Sequence, residues 1–182
     1  MKKNWIIVCI GVLLLSPAWG QEERTAAKKR QVVAADQALE TDARLWSHSE
    51  LLDSARVFQE TNIEKSIDYV ARSLTQLGRA ASQDEQAASL ALLGDVYKNH
   101  GQYDLAIANY ASALRSSEDL NVLLSLGQTY LITGDYEQAR DNFLRGLEIG
   151  SRVPYRQIQL YEGLGDAYKA EGNKLDALEA YE

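Results

Sequence analysis

The feature that most constrains the fold of this chain is a six-position pattern that occurs three times, in register, between residues 87 and 182. Each copy has a leucine-glycine pair, then a tyrosine, a second glycine, an alanine and an aromatic residue at matching intervals. The copies are Leu93, Gly94, Tyr97, Gly101, Ala106 and Tyr110; Leu126, Gly127, Tyr130, Gly134, Ala139 and Phe143; and Leu164, Gly165, Tyr168, Gly172, Ala177 and Tyr181. Self-similarity at a period of about 20–50 residues is typical of repeat architectures. The pattern therefore predicts a protein in which each unit stacks on the next.

Within each copy the spacings indicate two helices joined by a tight turn. In the first copy, apolar residues three and four apart form one helix face over about 88–99 and another over about 104–114. Gly94 and Ala106 are small where these two helices should cross, so the helices can approach closely. Gly101, between them, can adopt the left-handed conformation that ends a helix. Each copy is thus predicted to be a helical hairpin that cannot bury both of its faces alone.

This pattern, L-G-x₂-Y followed by A-x₃-F, resembles the tetratricopeptide repeat (TPR) at all six positions. The resemblance implies an all-α fold, a right-handed superhelical solenoid of antiparallel helix hairpins. It places TPR 1 at 87–119, TPR 2 at 120–157 and a truncated TPR 3 at 158–182.

A degenerate TPR-like repeat is predicted ahead of these, at 47–86. Ser66 and Val70 occupy its alanine and aromatic positions, and Ser54 replaces the glycine at the helix crossing. The intervals between successive crossing positions are 40, 33 and 38 residues, so two connections between hairpins are longer than the third. Residues 21–46, rich in Ala, Lys, Gln and Glu, are predicted to form an N-terminal helical lead-in.

The N-terminus has the pattern of a signal peptide, predicted to cover residues 1–20 and to be cleaved before Gln21. Lys2 and Lys3 precede an apolar run, Trp5 to Leu15, that is shorter than the roughly 20 residues needed to span a bilayer. Cys9, the only cysteine, lies inside this run and is poorly placed for lipid attachment, so the mature chain would contain no thiol. The chain is therefore expected to be exported, to the periplasm of a Gram-negative bacterium.

Charge and residue types argue against several classes of function. The formal charge is −7, and removal of Lys2 and Lys3 with the leader changes it to −9, so a nucleic-acid backbone is an unfavourable partner. The two histidines, His48 and His100, lie in different repeats, and no spacing of His, Cys, Asp or Glu suggests a metal site. Each Leu-Gly pair lies within a predicted helix, not in a phosphate-binding loop. We therefore predict no catalytic residues, no cofactor and no metal.

The predicted functional surface is the concave groove that stacked hairpins create, which in this family is lined by the first helix of each pair. The partner that this surface implies is a protein or peptide. The residues predicted to face the groove are Asp95, Lys98 and Asn99; Leu124, Gln128 and Leu131; and Glu162, Asp166 and Lys169. Some TPR domains grip a peptide's C-terminal carboxylate with lysine and asparagine in this groove. Ala91 and Asp95 stand at the corresponding places here, so that binding mode is not expected.

Two functions remain open at this point. One is an exported scaffold that recognises a partner segment; the other is the periplasmic input domain of a membrane signalling protein of the histidine-kinase type. The 38- and 40-residue intervals resemble the repeats of such sensors, and membrane contact would then arise only through a downstream anchor. The second helix of TPR 3 stops early, at Glu182, so we expect the chain to be an N-terminal fragment. Four residues near this end are then expected to be only partly covered: Leu175, Ala177, Leu178 and Tyr181.

Overall fold

The computed structural model describes residues 46–77, 82–150 and 154–182. Its elements are α1 (His48–Phe58), α2 (Ile63–Leu77), α3 (Gln83–Asn99), α4 (Tyr103–Ser116), α5 (Leu120–Thr133), α6 (Tyr136–Ile149), α7 (Pro154–Glu171) and α8 (Lys174–Tyr181). Each helix packs against the next one in the chain, and α1 also contacts α3, α3 contacts α5, and α5 contacts α7. The described residues therefore form stacked helical hairpins, which confirms the all-α solenoid predicted from the sequence.

Several sequence predictions concern residues outside these ranges. The signal peptide at 1–20, Cys9 within it and nearly all of the lead-in at 21–46 lie there. So do parts of the two longer connections between hairpins, at 78–81 and 151–153. These assignments stay predictions.

The turns inside the hairpins depend on the repeated second glycine. Gly101 and Gly134 have φ angles of 73° and 84°, the left-handed region in which a side chain is strained. At the end of α5 the backbone N–H of Asp135 donates to the carbonyl of Tyr130 across 3.0 Å, closing the helix. The Asp135 carboxylate then accepts the backbone N–H of Gln138, which caps α6. One short segment thus ends one helix and starts the next.

The first glycine of the pattern lies against an aromatic ring of the partner helix. A β-carbon placed on Gly94 would lie 2.6 Å from the ring of Tyr110, and one placed on Gly127 would lie 2.6 Å from the ring of Phe143. Phe143 is also covered from α7, because a β-carbon on Gly163 would again be 2.6 Å from its ring. The predicted close crossing is therefore confirmed in these two hairpins.

The first hairpin, α1 with α2, is closed by polar as well as apolar contacts. The hydroxyl of Ser66 donates to the carbonyl of Ala55 across 2.8 Å, at the position where the other hairpins have a buried alanine. The Tyr69 ring stacks between Trp46 and Phe58, with centroids 5.7 Å from each. In this hairpin a hydrogen bond from a serine hydroxyl joins the two helices at the position where the other hairpins have alanine. The sequence therefore departs from the pattern and still forms a hairpin.

The buried residues form clusters that extend from one hairpin into the next. Leu92 of α3 packs with the core of the first hairpin, and Val122 and Leu126 of α5 pack with that of the second. Leu160 and Leu164 of α7 pack with that of the third. Because each hairpin completes the core of its predecessor, stability depends on contacts between neighbours.

Candidate protein-binding groove

A groove lies along the side of the solenoid that the first helices of the hairpins form. Between α3 and α5 it widens into an open cavity of about 310 Å³. The apolar part of its lining consists of Ala87, Ala88, Ala91, Leu92 and Val122. The polar part consists of Arg56, Asp84, Asp95, Tyr110, Ser117, Asp119, Asn121 and Ser125. The cavity therefore combines a small apolar surface with a larger set of polar and charged side chains.

One position of the repeat explains why the cavity lies between α3 and α5. Ala91, Leu124 and Glu162 are equivalent residues of α3, α5 and α7. Leu124 is only 4% exposed and belongs to the core cluster that includes residues of α7. A leucine therefore fills the space between α5 and α7, whereas the methyl group of Ala91 leaves the space between α3 and α5 open.

A hydrogen-bonded pair lies at the base of this cavity. The hydroxyl of Tyr110, whose side chain is almost fully buried, donates to Oδ1 of Asp95 across 2.6 Å. Burial first, and then the negative charge of Asp95, raise the pKa of Tyr110, while a hydrogen bond with Ser125 acts in the opposite direction. Tyr110 therefore stays protonated at physiological pH, and its hydroxyl holds the Asp95 carboxylate in place.

The same pair recurs in the last hairpin and is missing from the one between. The hydroxyl of Tyr181 donates to Oδ1 of Asp166 across 2.6 Å, and this bond raises the pKa of Tyr181 to about 12. In the third hairpin the equivalent residues are Gln128 and Phe143, and a phenylalanine has no hydroxyl to donate. Two of the residues predicted to bind a partner, Asp95 and Asp166, thus also make a bond inside their own hairpin.

The structure corrects one of the residues predicted to line the groove. Leu124 is buried among side chains of α5, α6 and α7, so it presents no open surface to a partner and its prediction was wrong. Leu131 is half-buried and packs against the same cluster. Of the rest, Asp95 lines the cavity; Lys98 and Gln128 are half-buried, and Asn99, Glu162, Asp166 and Lys169 are exposed outside its lining. Partner contact by these residues stays a prediction.

Sequence reasoning missed most of the cavity because it followed α3 in one direction only. From Asp95 the predicted surface was extended towards the C-terminus of the helix. The cavity lies towards the N-terminus, where Ala91, Ala88 and Asp84 precede Asp95 at steps of four, three and four residues. These are the spacings of one helix face. The signal was thus present, as a stripe of small residues with an acidic residue at each end.

A second cavity, of about 340 Å³, is lined by residues of α4, α5 and α6. Its lining includes Arg115 and Arg145. Arg145 pairs with Glu118 at 2.6 Å, and Arg115 donates to Ser112 at 2.8 Å. We take the groove between α3 and α5 as the candidate site because it lies between first helices of the hairpins, the surface predicted from the sequence, and is lined by the predicted residue Asp95.

No three His, Cys, Asp or Glu side chains within the described residues are grouped as a metal ion would require. No helix in the described part of the chain is long and apolar enough to cross a membrane. Nε2 of His100 lies 2.9 Å from the carbonyl of Gln59, so this histidine joins the turn of one hairpin to that of the hairpin before it.

The stacked hairpins and their repeated sequence pattern define a helical-repeat protein. Two family models described as tetratricopeptide repeat match the chain, one over residues 87–120 and one over residues 118–182. Together they span residues 87–182, more than half of the sequence. Residues 87–182 therefore consist of tetratricopeptide repeats.

Individual relatives are distant. The chain is 23% identical over 117 residues to the photosystem I assembly protein Ycf3 of Prochlorococcus marinus, across 62% of this chain and 65% of that protein. Among solved structures, MamA superposes with a TM-score of 0.68 at 16% identity and covers 92% of each chain. A Podosopora anserina protein with nearly identical TPR-like repeats gives 0.73 at 15% identity, covering 99% of this chain and 93% of that one. At these identities the structures establish the fold alone.

Proposed function

We propose that this protein is a scaffold without catalytic activity that holds a segment of a partner protein in the groove between α3 and α5. The observation that carries the proposal is the open cavity between α3 and α5, which is lined by alanines of α3. At the equivalent place between α5 and α7, the side chain of Leu124 fills the space. Stacked hairpins typically bind partners through such an extended surface. The relative Ycf3 is a photosystem I assembly protein, and assembly is a role that a scaffold would serve.

Site-specific photocrosslinking tests this proposal. Asn121, exposed in the lining of the groove at the start of α5, and Ala108, exposed on α4 outside it, would each be replaced by p-benzoylphenylalanine in cells that contain the native partner. We expect a discrete adduct with one protein at Asn121 and none at Ala108, since both side chains are exposed and only one lines the groove. Adducts at Ala108 alone, or at neither position, would contradict the groove as the binding surface.

We further propose that the scaffold acts in the periplasm after its leader has been removed. Mass spectrometry of periplasmic material should give a mature protein that begins at Gln21. Ala18→Arg should block processing, because it removes a small residue close to the cut. An intact Met1, or lipid on Cys9, would contradict this.

The sensory-input alternative has no supporting feature in the described residues or in the families that match. The exported scaffold is therefore the function that we propose.

A further inference from the structure

We infer that the groove selects partner segments that carry a lysine or arginine side chain, with its aliphatic stem on the alanine floor and its charged end at a rim of carboxylates. The inference rests on the proposed function, because it takes the same groove as the binding surface. It adds the chemical class of the segment that the groove holds.

The floor of the groove suits an unbranched aliphatic chain. Ala88 and Ala91 contribute only methyl groups, and Ala87, Leu92 and Val122 complete an apolar surface between two helices. Lysine and arginine have an apolar stem that lies along such a surface while the charged end stays near water.

The rim of the groove carries negative charge on both of the helices that form it. Asp84 is exposed in the first turn of α3, and Asp119 is exposed just before α5. Oδ1 of Asp119 accepts the backbone N–H groups of Asn121 and Val122, at 2.7 and 3.3 Å. Because that cap uses Oδ1, the second carboxylate oxygen of Asp119 can accept a hydrogen bond from a ligand.

The third carboxylate, Asp95, lies at the base of the cavity. Its Oδ1 accepts the hydroxyl of Tyr110 at 2.6 Å, which fixes the orientation of the group and leaves Oδ2 for a donor. Lysine has three such donors and arginine five.

The one cation in the lining does not neutralise this rim. Arg56 pairs with Asp53 at 2.7 Å, and Asp53 is not itself part of the lining. The three aspartates therefore give the groove a net negative charge, in a chain whose formal charge is −7. A basic side chain is attracted to this surface and an acidic one is repelled. Because the groups are exposed and screened by salt, the charge sets selectivity more than affinity.

Binding of three labelled peptides tests the inference. The peptides are rich in serine and alanine and are identical except at two central positions, which carry Lys, Gln or Glu. Measured by fluorescence anisotropy with the whole chain, the Lys peptide should bind about tenfold or more tightly than the Gln peptide. The Glu peptide should bind more weakly still. The difference between Lys and Gln should shrink as ionic strength rises from about 0.05 to 0.5 M.

Two kinds of variant separate the contribution of the apolar floor to peptide binding from that of the rim carboxylates. Ala88→Leu and Ala91→Leu fill the cavity, and Ala88 is exposed, so its replacement leaves the core untouched. Asp84→Asn with Asp119→Asn removes two charges, while asparagine still caps α5. The matched control is Asp104→Asn with Glu137→Gln, which makes the same change in charge on exposed first turns of α4 and α6.

We expect both leucine variants and the groove charge variant to weaken the Lys peptide by about tenfold or more, and the control to leave it unchanged. Equal binding of the Lys and Gln peptides, weakened alike by Ala88→Leu, would overturn the basic class and leave the groove itself standing. Equal weakening by the groove charge variant and its control would show non-specific attraction to an acidic chain, and would also overturn the inference. Absence of binding by the Lys peptide would do the same, while the crosslink at Asn121 would report separately on the proposed function.

Discussion

Gly127→Leu is expected to destabilise the protein by about 3 kcal/mol, the upper end of the cost of overpacking a core. The reason lies in the position of the Phe143 ring between two helices. A β-carbon on residue 127 would lie 2.6 Å from the ring, and the ring cannot move away because Gly163 of α7 lies as close on another side. In thermal unfolding we expect the midpoint to fall by about 10 °C. A melt that coincides with that of the parent would show that this crossing is assigned incorrectly.

A double-mutant cycle separates the steric clash from other effects of the substitution. Gly127→Ala alone should destabilise, since its β-carbon meets the ring. In a Phe143→Leu background, which removes the nearest ring atoms, the same change should be neutral or should stabilise by up to about 1 kcal/mol, because alanine favours the helix. Ala108→Leu, on an exposed position of α4, controls for side-chain size and should change the free energy of unfolding by less than about 0.5 kcal/mol. A constant effect of Gly127→Ala in both backgrounds would exclude the clash.

The fold could be predicted from the sequence because its main signals are local and repeated. Two glycines recur at fixed positions in each copy: the one that ends α5 in this hairpin, and the one that lies against the ring of Phe143. Each copy therefore supports the interpretation of the others. The degenerate first hairpin was also predicted. The hydrogen bond from Ser66 to the carbonyl of Ala55 was not, because Ser66 was taken only as a small residue.

The candidate site could be predicted only in part, because equivalent positions of a repeat have different surroundings. Lys98, Leu131 and Lys169 are equivalent in the sequence, yet they are half-buried, packed against the core and exposed, respectively. The burial of each of these side chains depends on the neighbouring helix and on the size of the side chains that this helix presents. A pattern within one helix identifies a face; it does not show what covers that face.

The other large expected effect concerns the last helix, α8, in comparison with α5 and α6. Leu175, Leu178 and Tyr181 are 80%, 58% and 47% exposed, as the sequence predicted. Ala177 is the exception, since it is 4% exposed and packs in the crossing of α8 with α7, so that part of the prediction was wrong. Exposed apolar side chains forfeit part of the roughly 1.5–3 kcal/mol that each contributes when fully buried.

Because α8 is less buried than α5 and α6, its free energy of local unfolding should be lower than theirs. Helix α5 packs against neighbours on both sides, so its amides exchange only when several hairpins open together, whereas α8 packs against α7. A difference of about 3 kcal/mol in opening free energy corresponds to about a hundredfold in exchange rate. We therefore expect amides in residues 174–182 to exchange at least about a hundredfold faster than those in residues 122–145, measured by hydrogen–deuterium exchange. The measurement should be repeated over a range of protein concentrations, because self-association through α8 would slow its exchange only at the higher ones. Uniform protection at every concentration would contradict the structure's account of this helix.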